Sequence, residues 1–250
     1  MVLRKNILVT GASSGLGEGM ARQFAARGRN LALCARRTER LDELAAELRT
    51  AYPGIRVVTR ALDVNDHDRV VTVFDEFRAE LGGLDRVVVN AGIGKGQPVG
   101  KGRFDANRQT METNFVAAAA QIEAAAAIFR EQRGGHLAVV SSFSALRGLP
   151  KNVTAYAASK AGISSFVDGT RLELRGSGIT VTELRPGYVR TEMTGRAGNT
   201  LLMTSAEKGA HALVKTIEAE PKRAYVPAWP WVPLTVVMRL IPGRFLRMFV

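Results

Sequence analysis

Ile7-Leu-Val-Thr-Gly-Ala-Ser-Ser-Gly-Leu-Gly17 runs from a short apolar segment into a turn that carries three glycines. From Gly17 to Arg27 the apolar residues Met20, Ala21, Phe24 and Ala25 then recur at helical spacing. A buried strand that breaks at a glycine-rich turn into a helix is the opening of a β-α-β unit. The chain that follows repeats this alternation. Strand-like runs at 31–35, 56–62 and 87–89 are separated by a helical stripe of Leu41, Leu44, Ala45 and Leu48 and by a helix over 70–81.

The second half continues the pattern. A long alanine-rich helix is predicted over 108–130, a fifth strand over 137–141, and a helix that carries Tyr156 and runs to about Arg175. A sixth strand over 179–184, a helix over 206–218 and a short strand over 223–227 complete it. The strands are continuously apolar, as strands covered on both faces are. With right-handed crossovers, this order predicts one α/β domain, a doubly wound seven-stranded parallel sheet with helices on both faces. No internal repeat, linker or composition break marks a second domain. The expected catalytic domain spans 1–228, and 229–250 is an apolar, basic extension of it.

Composition bounds the function. The 250 residues are 46% hydrophobic and 23% charged, a globular balance. A net charge of +12 favours anionic partners such as nucleotide phosphates. Clustered cations with interleaved aromatics, as in nucleic-acid readers, are lacking, and aromatic residues make up only 6%. Nucleic acid is therefore not an expected partner. His67, His136 and His211 show no metal-ligand spacing and read as structural or solvent-facing, so no metal is expected. The single cysteine, Cys34, excludes an intrachain disulfide, and the opening residues lack the apolar stretch of a signal peptide. A cytoplasmic setting is the expectation.

In the turn, Gly11 permits a tight reversal, Gly15 lets backbone N–H groups approach a pyrophosphate, and Gly17 lets helix and strand pack closely. The helix N-terminus adds partial positive charge for phosphates. Further along, Tyr156 and Lys160 lie one helical turn apart and project from one face. A tyrosine is a weak acid at neutral pH, and the spacing predicts that the Lys160 ammonium favours the phenolate. At the end of the second strand, Ala35 stands where an acid would bind a ribose 2′-hydroxyl, and Arg36 and Arg37 follow. A guanidinium suits a 2′-phosphate, so the predicted cofactor is NADP(H), with Arg36 the first contact and Arg37 the second.

Thr10-Gly-x-x-x-Gly-x-Gly17, Asp63-Val64, Asn90-Ala-Gly92, Asn114, Ser141-Ser142, Tyr156-x-x-x-Lys160 and Pro186-Gly-x-x-x-Thr191 occur in order. Together they resemble the short-chain dehydrogenase/reductase family, from about Lys5 to Val226. The resemblance implies a Rossmann-type fold and interconversion of a carbonyl and an alcohol. It implies that Tyr156 moves the proton, that Lys160 tunes Tyr156 and holds the nicotinamide ribose, and that a serine holds the substrate oxygen. Ser142 matches that serine, one residue further from the tyrosine than is usual; Ser144 is the second candidate and Ser141 the structural one. Asn114 matches an asparagine whose helix distortion serves a proton relay. Gly11, Ser13, Ser14, Gly15, Leu16 and Gly17 would hold the phosphates, and Asp63 and Val64 would flank the adenine. Asn90, Ala91 and Gly92 would line the cleft, with Pro186, Gly187, Val189 and Thr191 at the nicotinamide.

The substrate is less legible. Residues 192–204 are rich in Gly, Thr and Met and read as a substrate lid. The loop 92–103 carries Lys95, Lys101 and Arg103 near the expected site, and could receive phosphates of a carrier-bound substrate. The extension carries Trp229 and Trp231, and Pro233, Arg239 and Pro242 interrupt its apolar run, so it does not span a bilayer. It caps the substrate cleft or a subunit interface; the alternative is a peripheral membrane contact. Either placement suits an apolar substrate such as a 3-oxoacyl thioester, a lipid ketone or a steroid-like molecule. In the family the alanine-rich helix and the Tyr156 helix form a dimer interface, which implies a homodimer or homotetramer. A non-enzymatic NADP-binding regulator is the alternative of a different class.

Overall fold

A computed structural model describes residues 3–192, 203–243 and 246. Strand β1 (Asn6–Thr10) feeds helix α1 (Gly15–Ala25), β2 (Asn30–Ala35) feeds α2 (Thr38–Ala51), and β3 (Val57–Ala61) feeds α3 (His67–Leu81). After β4 (Arg86–Val89), helix α4 (Phe104–Met111), a π-helical turn (Glu112–Val116) and α5 (Ala117–Gln132) form one crossover to β5 (Gly135–Val140). Then come α6 (Thr154–Glu173), β6 (Ile179–Pro186), α7 (Ala206–Glu218), β7 (Arg223–Val226) and α8 (Ala228–Leu240). All six pairings are parallel, in the order β3-β2-β1-β4-β5-β6-β7. This is the predicted single-domain, seven-stranded Rossmann-like fold.

Alternation along each strand builds two cores. Leu8 and Val87 point to one face, where α3, α5 and α6 supply Phe74, Phe77, Phe129 and Ile163. Ile7, Val9 and Val88 point to the other, where α1, α2 and α7 supply Met20, Phe24, Leu41 and Leu213. Because both faces are covered, the period-2 signal disappears from the sequence and only continuous apolarity remains.

The helix distortion that the resemblance implies at Asn114 is a π-helical turn, of the kind that marks functional sites, and it splits the helix expected over 108–130. The extension, read as proline-interrupted, contains helix α8 with Pro230 and Pro233 near its start. The backbone leaves helical geometry at Trp229 (φ −98°, ψ 134°), so the helix proper starts at Pro230 and Pro233 falls in its first turn, where proline costs least.

The two ends of the sheet differ in kind. At the N-terminal edge, Arg86 is buried and donates to His136 Nδ1 at 2.7 Å, to Glu218 at 3.2 Å and to Glu220 at 3.1 Å. His136 Nε2 meets the Thr182 hydroxyl at 2.9 Å, and Arg4 and Arg29 bind the same two glutamates. The C-terminal edge opens into the crevice between β1 and β4, where the strand order reverses and where ligands bind in such sheets.

Candidate active site

The turn after β1 is folded against its own backbone. Gly11 has φ of +66°, and a Cβ there would stand 2.9 Å from Ala91 Cα. A Cβ on Gly17 would lie 2.2 Å from the Gly11 carbonyl oxygen. Only hydrogen fits at either position, so the first turn of α1 stays close to the strand end. Ser14 precedes α1 in extended conformation and makes no side-chain cap, which leaves the first-turn N–H groups free to face an anion. Thr10 Oγ1 accepts from Asn90 N at 3.0 Å and Ala91 N at 3.1 Å, and Asn90 Nδ2 donates back to the Thr10 carbonyl at 3.0 Å. These bonds lock Asn90-Ala91-Gly92 beside the turn.

Three arginines ring the outer wall. Arg36 stands 4.0 Å from Asp63, beside the buried Val64. Arg37 donates to Ser14 Oγ at 2.6 Å, to Ser13 Oγ at 3.3 Å and to Glu192 at 2.9 Å. Arg40, in the first turn of α2, binds the other oxygen of Glu192. Neither Arg40 nor Glu192 stands out in the sequence; Arg40 could have been noticed only from its helical register with Arg36 and Arg37.

The inner wall gathers the predicted polar set. Asn114 is fully buried; its Oδ1 accepts from Ile93 N and its Nδ2 donates to the Ile93 carbonyl, both at 2.8 Å. A Cβ on Gly92 would meet Asn114 Oδ1 at 3.0 Å and Lys160 Nζ at 3.8 Å, so these three converge at one point. Lys160 is buried and donates to the Val140 carbonyl at 2.9 Å, with Nζ 5.9 Å from the centre of the Tyr156 ring. Ser142 begins the short 3-10 turn Phe143–Leu146, accepts from Ser144 N at 3.1 Å and is hydrogen-bonded to Tyr156. Ser144 thus uses its backbone to hold Ser142 in place. Ser141 turns inward, with its hydroxyl on the Lys160 carbonyl and on Ser164.

Electrostatics here departs from the simple expectation of a lysine-activated phenolate. Tyr156 keeps some exposure at the cleft but is surrounded by protein on most sides. Burial pushes its pKa up, the hydrogen bond with Ser142 pulls it down, and the neighbouring Tyr188 phenol adds to the rise. The physical reason is distance: Nζ is directed at a carbonyl rather than at the phenol oxygen, so desolvation outweighs it. The same burial lowers the Lys160 ammonium to about 8. The phenol therefore holds its proton at neutral pH, which suits a donor.

A buried aromatic cluster backs the site. Trp231 of α8 lies against Phe143, with centroids 4.8 Å apart, and against Tyr188 at 5.4 Å. A Cβ on Gly187 would fall 1.8 Å from the Trp231 ring, so Gly187 is the seat for that indole. Past it, Val189 bridges to Thr204, and the Thr191 side chain closes against Gly15 of the first turn. Sequence reasoning placed the tail that carries Trp231 over the substrate cleft or a subunit interface, but did not assign Tyr188 or Phe143 to the site. Of the predicted lid 192–204, residues 193–202 lie outside the described residues. In the loop 92–103, Arg103 pairs with Asp105 and Lys95 reaches Gln109, so two of its three cations are engaged by α4.

The residues present fit a nicotinamide dinucleotide. A glycine-lined turn that no Cβ could enter, free first-turn N–H groups, and arginines on the serines of the turn form a cradle for phosphates.

Comparison with known proteins gives a consistent picture. A family profile described as short chain dehydrogenase matches residues 5–202. An uncharacterized oxidoreductase of Mycobacterium tuberculosis is 54% identical over 248 residues, 99% of this chain and 98% of its own length. Dehydrogenase/reductase SDR family member 7B of Bos taurus is 32% identical, over 97% of this chain and 79% of its own. Among solved structures, an alcohol dehydrogenase from Thermococcus sibiricus complexed with 5-hydroxy-NADP superposes with a TM-score of 0.78. It shares 26% identity and covers 88% of this chain and 95% of its own.

Proposed function

Because this chain belongs to the short chain dehydrogenase family, and is an oxidoreductase of that type, we propose that it interconverts a carbonyl and a secondary alcohol with NADP(H). The observation that carries the reading is the Ser142–Tyr156–Lys160 group, with its protonated phenol, beside the Gly11–Gly17 cradle. Bound in that cradle, the dinucleotide supplies or accepts the hydride. Gly11, Ser13, Ser14, Gly15, Leu16 and Gly17 would hold its phosphates, and Arg36 and Arg37 the 2′-phosphate. Asp63 and Val64 would flank its adenine, Asn90, Ala91 and Gly92 its inner edge, Lys160 its ribose, and Pro186, Gly187, Val189 and Thr191 its nicotinamide.

The protein's own part in reduction is to hold and protonate the substrate oxygen. Ser142 Oγ donates a hydrogen bond to the carbonyl oxygen as negative charge develops on it, and Tyr156 Oη delivers the proton. Lys160, largely charged below pH 8, steadies the phenolate left behind. Asn114 acts at one remove, holding Ile93 and hence the loop that carries Gly92. In alcohol oxidation the same atoms run in reverse.

The partly exposed Tyr188, backed by the buried Phe143 and Trp231, makes this side of the site apolar and suits a substrate such as a lipid ketone, a 3-oxoacyl thioester or a steroid-like ketone. The small residues Ala126, Ala127 and Gly169 line a groove between α5 and α6 that suits pairing in a homodimer or homotetramer. Helix α8 buries Trp231 and Met238 and turns Trp229, Val232, Val236, Val237 and Leu240 outward. Five cations and no acid follow Glu220, which suits a peripheral contact with anionic lipid. No helix among the described residues is long and apolar enough to cross a membrane.

The test is a panel of 3-oxoacyl thioesters, steroids and small ketones, assayed with NADPH and with NADH. Substrate-dependent oxidation with a higher kcat/KM for NADPH is expected. A preference for NADH contradicts the cofactor assignment, and no turnover of any carbonyl contradicts the reaction.

A further inference from the structure

The arginines at the outer wall are shared between two carboxylates. Arg36 turns toward Asp63 at 4.0 Å, whereas Arg37 and Arg40 converge on the two oxygens of Glu192. Glu192 is far away in sequence, in the segment that follows β6. Its carboxylate reaches back to the corner between β2 and α2 and is held below its ordinary pKa by Arg40 and Arg37. It is ionised throughout the neutral range.

Arg37 makes this contact specific. The same guanidinium that binds Glu192 also binds Ser13 and Ser14, the hydroxyls of the phosphate turn. An anion beside that turn must therefore compete with Glu192 for the donors of Arg37 and, one helical turn away, of Arg40. All three side chains are about half exposed, with Glu192 at 56%. Exposed pairs of this kind hold a fold together weakly, by roughly 0–1 kcal/mol, so the contact is easily exchanged. A phosphate monoester has about twice the charge of a carboxylate at neutral pH and offers three acceptor oxygens, so it outcompetes Glu192. A ribose 2′-hydroxyl has no such charge and leaves Glu192 where it is.

We propose that Glu192 is a specificity-determining residue for the cofactor, an internal carboxylate that competes with a 2′-phosphate for Arg37 and Arg40. The inference rests on the NADP(H) reading. It makes Arg40 a third phosphate contact, reached only when Glu192 yields, and it makes the NADPH/NADH preference of the native protein smaller than its three arginines alone would give.

The experiment is direct binding of NADPH and of NADH, followed by calorimetry, to the native protein, to Glu192→Gln and to Arg40→Gln. Glu192→Gln is expected to tighten NADPH about 3- to 10-fold and to change NADH less than about 2-fold, a modest electrostatic gain in a solvated setting. Arg40→Gln is expected to weaken NADPH alone. If the native protein prefers NADPH and Glu192→Gln leaves the ratio unchanged, the competition is refuted and the cofactor reading stands. If Glu192→Gln weakens both cofactors alike, Glu192 is a clamp over the dinucleotide and the proposal is overturned. A native protein that prefers NADH removes both.

Discussion

The two ends of the parallel sheet bury polar side chains on the same strands to opposite effect. At the N-terminal edge every charge has opposite charges or dipoles around it. Arg86 alone meets His136, Glu218 and Glu220, and Asp85 accepts the N–H groups of Lys5 and Asn6, each at 2.8 Å. At the C-terminal edge Lys160 has a single hydrogen-bond acceptor, the Val140 carbonyl, among the described residues, and Tyr156 is raised rather than relieved by its surroundings. Apart from the Arg29 Nε, which is buried without a partner among the described residues, the lower network is satisfied, and it fastens the end of α7 to β4 and β5. The upper group keeps donors in reserve for a ligand. Buried polarity thus stabilises where it is satisfied and is available for chemistry where it is not.

That contrast breaks if substitutions at the two ends act alike. Arg86→Met should cost about 3–5 kcal/mol of stability, because it strands buried partners, while activity per folded molecule persists. Denaturant unfolding paired with an active-site titration checks this; lost activity in a folded protein would join the two ends. Ser142→Ala should do the reverse. It should lower kcat about 10²- to 10³-fold, by loss of a donor to the developing oxyanion, with little change in the unfolding midpoint.

Smaller effects sharpen the comparison through pH. His136 is buried as the neutral ring, its pKa lowered to about 3 by desolvation and then by Arg86, whereas an unfolded histidine titrates near 6.5. Between those values the unfolded chain binds the extra proton, so stability falls as pH drops through the window. Glu220, lowered to about 2, adds a loss of the same sign between about pH 4.5 and 2. His136→Gln should flatten the upper part of this slope; an unchanged slope would locate the acid sensitivity elsewhere. At the other end, reduction should weaken above about pH 8 as Lys160 gives up its proton, which a pH profile of kcat would reveal. A flat profile to pH 9.5 would remove Lys160 from the proton step.

Much of this was legible in the sequence because local rules and the fold agree. The glycines at 11 and 17 report backbone contacts that no other residue permits, and Tyr156 and Lys160 share a face by helical period alone. The outer limits of strands were not legible, and the distortion at Asn114 was legible only through the family motif, since a π-helical turn depends on the Ile93 backbone that it meets, 21 residues away in sequence. The seat of Trp231 and the partners of Glu192 were hidden for the same reason. Nothing near Trp231 in sequence says that Gly187 is its seat, and nothing near Glu192 says that Arg37 and Arg40 wait for it. The Arg86–His136 pair was equally silent, because His136 alone reads as structural or solvent-facing and nothing near it in sequence points to Arg86.

Tyr156→Phe tests the central claim most directly, with turnover and NADPH binding measured on the same preparation. The account expects kcat to fall by about 10²- to 10⁴-fold, the range for loss of a general acid, while the NADPH dissociation constant stays within about 2- to 3-fold of the native value. Native-like turnover by the phenylalanine variant would contradict it.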